Sequence, residues 1–175
     1  MTTGEKLLQQ ARLQFWTRGY SNVSVRSISA AAGVDVALIA RHFGSKLGLF
    51  TASLDHGYDA LSLPADPAQL EEYVIALFSQ TPRGAAAPSL IQMITSNAHD
   101  ETVGPMVRDL HRTRLQEPLE RLIGRADRAA LFMAALIGFA VTEKTLHLAA
   151  IARPGSPAYE TQLRQLIRAA LRFED

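Results

Sequence analysis

The stretch VSVRSISAAAGVDVALIARHFGSKLGLF, residues 23 to 50, restricts the fold more than any other part of the chain, because it puts two short helices and a bend into twenty-eight residues. The Ser24 hydroxyl can accept from an orphan backbone N–H and open a helix over Val25 to Ala32. Gly33 reaches positive φ without a Cβ clash and ends that helix, and Asp35 caps a second one over Val36 to His42. Ile28, Ala32, Val34 and Ile39 should line the inside of the elbow, while small Ser29 and Ala30 let the helices approach. The outside then carries Val36, Ala37, Leu38, Ala40, Arg41 and His42, with Asp35 at the N-terminal end. A second helix so presented can enter a major groove. Arg41 and Asp35 would supply the hydrogen-bonded readout, and Val36, Ala37 and Leu38 would touch thymine methyls. Ser24 and Arg26 at one helix start, and Gly44, Ser45 and Lys46 at the next, offer N–H groups and cations to phosphates.

Charge is distributed to match. Residues 1 to 50 hold six basic side chains (Lys6, Arg12, Arg18, Arg26, Arg41, Lys46) against Glu5 and Asp35, a net +4, and the remainder is net −3. A basic head on an acidic body suits a polyanion at one end only. The chain has no cysteine, which excludes disulfides and thiolate metal sites and fits a cytoplasmic protein. The start of the chain is polar and its apolar residues are broken by Gln9, Gln10, Arg12 and Gln14, so neither a cleavable leader nor a membrane partner is expected.

The rest reads as helices throughout. Leu7, Leu8, Ala11, Phe15 and Trp16 recur at helical spacing, so residues 4 to 18 form an amphipathic helix behind the elbow, ended by Gly19. Tyr20, Val23 and Trp16 are core. Ser45 caps a linking helix with Leu47, Leu49, Phe50, Leu54 and Tyr58, and the domain boundary is placed just after this helix begins, giving units 1 to 47 and 48 to 175. Asp66 and Pro67 open a helix whose stripe is Leu70, Tyr73, Val74, Leu77 and Phe78, and TPRGAAAP ends it. Pro88 opens another, to about Ala98. A longer helix is expected from Pro105 to Ile123, bent at Pro118 and closed by Gly124. From Asp127 the chain is apolar nearly all round. Its thirteen uncharged residues from Ala129 to Val141 fall short of the roughly twenty that span a bilayer. Ser156 and Pro157 start the last helix, with Tyr159, Leu163, Leu166, Ile167, Ala170 and Leu171 on one side. Two such helices carry more apolar surface than one body can cover, which predicts a self-paired seam and a homodimer.

No catalytic constellation is present. The five histidines share no metal-ligand spacing, and His99, Asp100 and Glu101 are consecutive and point apart. An enzyme is therefore not expected, and neither is a metal or cofactor. A small apolar or amphipathic effector could lie between body helices against Phe78, Met93, Met106, Phe132, Met133, Leu136 and Phe139, with His111 or Arg112 as a polar handle.

The string GYSNVSVRSISAAAGVDVALIARHFGSKLGLF, with an amphipathic helix before it and a helical remainder after it, resembles the TetR/AcrR family of transcriptional regulators. The resemblance covers about the first fifty residues closely and the remainder in layout. It implies an all-α fold with a helix-turn-helix head that binds double-stranded DNA as a homodimer, mostly as a repressor released by a small effector. By position, Ser24 and Arg26 match the start of the family's second helix and Gly33 and Val34 its turn. His42 and Phe43 match the end of the recognition helix, and Lys46 the lysine that opens the fourth. One position departs: where the family commonly has an aromatic touching phosphate, this chain has Ala40. The alternative reading is a helical ligand-binding or partner-binding dimer whose head no longer reads DNA.

Overall fold

The structure, a computed structural model, describes residues 1–59, 61–80 and 88–171, apart from the side chains of His56 and Asp59. All secondary structure among those residues is helical. The TPRGAAAP terminator falls, up to its final proline, outside them. The chain divides into two compact units, Met1–Ser62 with Arg83–Asp109, and Leu63–Pro82 with Leu110–Asp175.

The first unit is built from α1 (Thr3–Arg18), α2 (Val25–Ala32), α3 (Ala37–Phe43), α4 (Lys46–Asp59), α6 (Leu90–Asn97) and most of α7 (Gly104–His111). Thr2 and Glu5 form a reciprocal capping box at the start of α1, a signal that the sequence reading passed over. The expected stripe of α1 is buried at Leu7, Ala11, Phe15 and Trp16, and Gln14 joins it. Phe15 stacks with Tyr20 at 5.6 Å and meets Phe50 edge-on at 5.3 Å, so three segments share one aromatic cluster. In α4, Leu49, Phe50, Leu54 and Tyr58 are buried as expected, but Leu47 is 42% exposed. Gly57 lies within α4, which runs on to Asp59. A Cβ there would lie 2.2 Å from the Trp16 ring, so the glycine lets the helix pass against a fully buried indole.

The second unit holds a 3-10 turn (Pro67–Gln69), α5 (Leu70–Gln80), α8 (Glu117–Ile123), α9 (Ala126–Lys144) and α10 (Pro157–Leu171). Asp66 accepts from the Ala68 N–H at 2.9 Å and starts the turn that leads into α5. Along α5 the buried stripe is Leu70, Val74, Ile75 and Phe78, with Tyr73 half-buried and Leu77 exposed, a rotation of the expected face by about one residue. Glu71 pairs with Arg164 and Arg168, and Glu72 with Arg164, tying α5 to α10.

The helix expected over 105–123 carries a π-helical stretch, Arg112–Gln116, between α7 and α8, and the Glu117 N–H reaches back to the Arg112 carbonyl. Pro118 explains its place. A proline ring collides with the carbonyl four residues back, and widening the turn relieves that clash. Only Ala129, Phe132 and Ala140 of α9 are buried, and Ala130, Leu131, Ala134 and Gly138 face outward as a stripe of small and apolar residues. Leu146 and Leu148 follow at 60% and 50% exposure.

Candidate nucleic-acid interface

The elbow forms as its local signals require. Ser24 Oγ accepts from the Ser27 N–H at 3.0 Å, satisfying one of the orphan donors of α2. Gly33 adopts φ 66°, ψ 36° and turns the chain, with the Val34 N–H returning to the Ser29 carbonyl at 3.1 Å. Asp35 Oδ1 accepts from the Ala37 N–H at 2.7 Å. Because Asp35 reaches only two residues on, Val36 becomes the half-in residue and α3 begins at Ala37 rather than Val36.

Packing fixes which face of α3 points outward. Ile28, Ser29 and Ile39 are buried, which closes the inside of the elbow, with Ala32 and Val34 half-buried. Asp35, Val36, Ala37, Ala40, Arg41 and His42 are exposed and Leu38 is half-buried. Ser24 and Arg26 are exposed at the start of α2. Gln14 braces that start from behind: its side chain donates to the Ser27 carbonyl at 3.2 Å and accepts from the Ser27 hydroxyl at 2.8 Å. A buried glutamine at the edge of an apolar stripe is the one sequence signal that could have marked this brace.

Removing the Ser24 hydroxyl should cost about 1 kcal/mol, the usual worth of such a cap. A Ser24→Ala chain is expected to unfold in urea at a correspondingly lower midpoint with unchanged slope.

At the start of α4, Ser45 Oγ accepts from the Gly48 N–H at 3.0 Å. Lys46 does not extend freely toward solvent. Its Nζ lies 4.1 Å from the centre of the Tyr20 ring, and burial pushes its pKa down, which the nearby charge of Asp100 only partly offsets. The turn carrying Tyr20 is held by α6: Asn97, fully buried, accepts from the Tyr20 N–H at 2.8 Å and donates to the Phe15 and Met93 carbonyls at 3.0 and 2.9 Å. No sequence reading placed Asn97 here.

The residues considered for an effector are divided between the units. Met93 and Met106 belong to the first, where Met93 is fully buried and the Met106 sulfur meets the Thr51 hydroxyl at 3.7 Å. In the second, Phe78 meets Phe139 at 6.0 Å and Phe139 meets Tyr159 at 5.6 Å, a chain of edge-on rings joining α5, α9 and α10. Phe132 is buried, and Met133 and Leu136 are half-buried on the same helix. Burial lowers the His111 pKa, and Arg112 is exposed and ion-paired with Glu117. Among the described residues, no three acidic or imidazole side chains are grouped to hold a metal, and no helix is long and apolar enough to cross a membrane.

Residues 7–53 match the family model described as bacterial regulatory proteins, tetR family, and residues 69–171 match that of the tetracyclin repressor-like C-terminal domain. A search of curated proteins gives no match. The first match spans the elbow with its exposed helix and the second more than half of the chain, and from both it follows that the protein belongs to the TetR family of DNA-binding transcriptional regulators, which are not enzymes.

Proposed function

We propose that the protein is a cytoplasmic homodimeric repressor that holds a palindromic operator and leaves it when a small apolar or amphipathic effector binds. The observation that carries this reading is the sidedness of α3. Ile39 is sealed inside while Arg41, His42, Val36 and Ala37 stand in solvent, so the helix is anchored by one face and free to enter a groove with the other. In this reading residues 1–47 read DNA, and residues 48–175 bind the effector and dimerise. Arg41, with Asp35, hydrogen-bonds base edges, Val36, Ala37 and Leu38 contact thymine methyls, and His42 borders the footprint. Ser24, Arg26 and Lys46 take phosphates, without the aromatic contact that Ala40 replaces.

The outward stripe of Ala130, Leu131, Ala134 and Gly138 supports the pairing, because its small side chains allow a second copy to approach closely about a two-fold axis. Two heads on one axis match two half-sites. The effector acts by binding more tightly to the dimer whose heads no longer fit both half-sites. Met133, Leu136, Phe132, Phe78 and Phe139 supply its apolar surround.

The test is retention of the DNA that flanks the protein's own coding region, measured at several salt concentrations. Specific retention that weakens steeply with salt is the expected result, and equal hold on unrelated duplex would remove the operator from the reading. Arg41→Ala should relax base preference, at a cost of about 1–3 kcal/mol on the preferred site, while leaving hold on unrelated duplex nearly unchanged. A chain that elutes as a monomer at micromolar concentration would remove the dimer.

A further inference from the structure

The turn between α6 and α7 delivers a carboxylate to the segment that joins α1 to α2, close to a cation of the DNA-binding head. Asp100 Oδ2 accepts from the Ser21 hydroxyl at 2.5 Å and from the Ser21 backbone N–H at 3.2 Å. Its Oδ1 accepts from the N–H groups of Thr102 at 2.9 Å and Val103 at 3.1 Å. These four donors are neutral, so they fix the group in place without cancelling its charge. Burial pushes the Asp100 carboxyl up, but the hydrogen bonds from Ser21 and from the Val103 and Thr102 N–H groups outweigh it, and the group stays ionised.

The residue beside Ser21 is Tyr20, and Lys46 Nζ rests 4.1 Å over its ring. The ring is itself held between Phe15 at 5.6 Å and Phe50 at 5.2 Å. The ammonium therefore sits on a rigid aromatic face at the start of α4, not in a direct ion pair with Asp100 but near enough to feel the charge of a carboxylate that is held in place.

We propose that Asp100 is a positioning residue of the DNA interface: it competes with the phosphate backbone for Lys46, keeps the ammonium at the Tyr20 ring, and so lowers the affinity of the head for any duplex. This rests on the DNA-binding reading above. A lysine that must leave a fixed counter-charge gains less on meeting phosphate than one that faces water, and it displaces less than a full condensed counterion. Asp100 thereby weakens sequence-independent hold while Arg41 and the apolar face of α3, which read bases, are untouched. Specific and non-specific complexes share this phosphate contact, so hold on every duplex falls together and the ratio between sites is left to Arg41 and the apolar face of α3.

The test uses the full chain and a labelled mixed-sequence duplex, with affinity measured across a salt series. Asp100→Asn keeps an oxygen for the Thr102 and Val103 N–H groups, meets the Ser21 hydroxyl as a donor, gives up the bond from the Ser21 backbone N–H, and removes the charge. It should bind roughly 3- to 10-fold more tightly near 0.1 M salt, with a log-log slope steeper by up to about 0.9, the share of one phosphate. Lys46→Met should cancel that gain, so its fold-loss must be several times larger beside Asp100→Asn than in the wild-type chain. Unchanged affinity and slope in Asp100→Asn overturn the proposal, and so does additivity of the two substitutions. Asp100→Ser must shift binding in the same direction, and it decides the matter if the asparagine chain does not fold. A wild-type chain with no salt-dependent hold on duplex overturns the DNA-binding reading, and this proposal falls with it.

Discussion

Replacing Gly48 with alanine should cost about 3 kcal/mol of stability and abolish specific retention of operator DNA. The sign is opposite to what helix propensity alone gives, since alanine is favoured over glycine by about 1 kcal/mol inside a helix. Packing decides otherwise. A Cβ on Gly48 would lie 2.0 Å from the Phe43 carbonyl oxygen and 3.2 Å from its carbon. Neither atom belongs to a side chain that can rotate away. Phe43 is the last residue of α3, so the strain must be relieved by moving the backbone of the helix that carries Arg41 and His42. Urea unfolding and a titration of the flanking DNA read the two effects separately. Gly33→Ala is the useful comparison: nothing lies within 4 Å of its Cβ, but φ is +66°. It should lose only about 1–2 kcal/mol, from backbone conformation alone. A Gly48→Ala chain as stable and as tightly bound as wild type would show that α3 is not located by this contact.

Asn97→Ala should be nearly as damaging, at about 3 kcal/mol, which corresponds to roughly 10 °C in Tm for a chain of this size. The Phe15 carbonyl keeps its bond from the Gly19 N–H at 3.1 Å, so the acceptor side survives. The Tyr20 N–H loses the Asn97 oxygen, and a buried cavity is left where the amide packed. Against a total stability of about 5–15 kcal/mol this is a large share. Asn97→Asp retains the acceptor but places a carboxylate against the Phe15 and Met93 carbonyls, so it should be no better. Thermal circular dichroism checks both, and a shift below about 3 °C for the alanine chain would mean that the α1–α2 turn is held by other contacts.

The elbow marks how far sequence reasoning reached, and Asn97 where it stopped. Ser24, Gly33 and Asp35 act on backbone groups within a few residues, and their elbow was readable from spacing and residue type. Asn97 and Asp100 act on Tyr20 and Ser21, 77 and 79 residues away in the chain, and periodicity carries no information at that range. The charge balance likewise depends on where the chain is divided. Cut at residue 50, the head is strongly basic. The compact unit takes in residues 83–109 and with them Asp100, Glu101 and Asp109, leaving eight Lys and Arg against seven Asp and Glu. The net +4 therefore describes residues 1–50 and not the compact unit. Pro118 was seen as a disturbance in its helix, but whether a proline bends a helix or widens a turn depends on what the neighbouring carbonyls can meet, which composition does not reveal.

Trp16 is the chain's single indole, and it lies fully buried in the first unit, its ring beneath the Arg12 guanidinium at 4.5 Å. Its emission therefore reports melting of the first unit alone, whereas far-ultraviolet ellipticity sums over every helix. Following both signals through one denaturant titration separates loss of the first unit from loss of the second without any added label. An effector that loosens one half while leaving the other intact would pull the two curves apart.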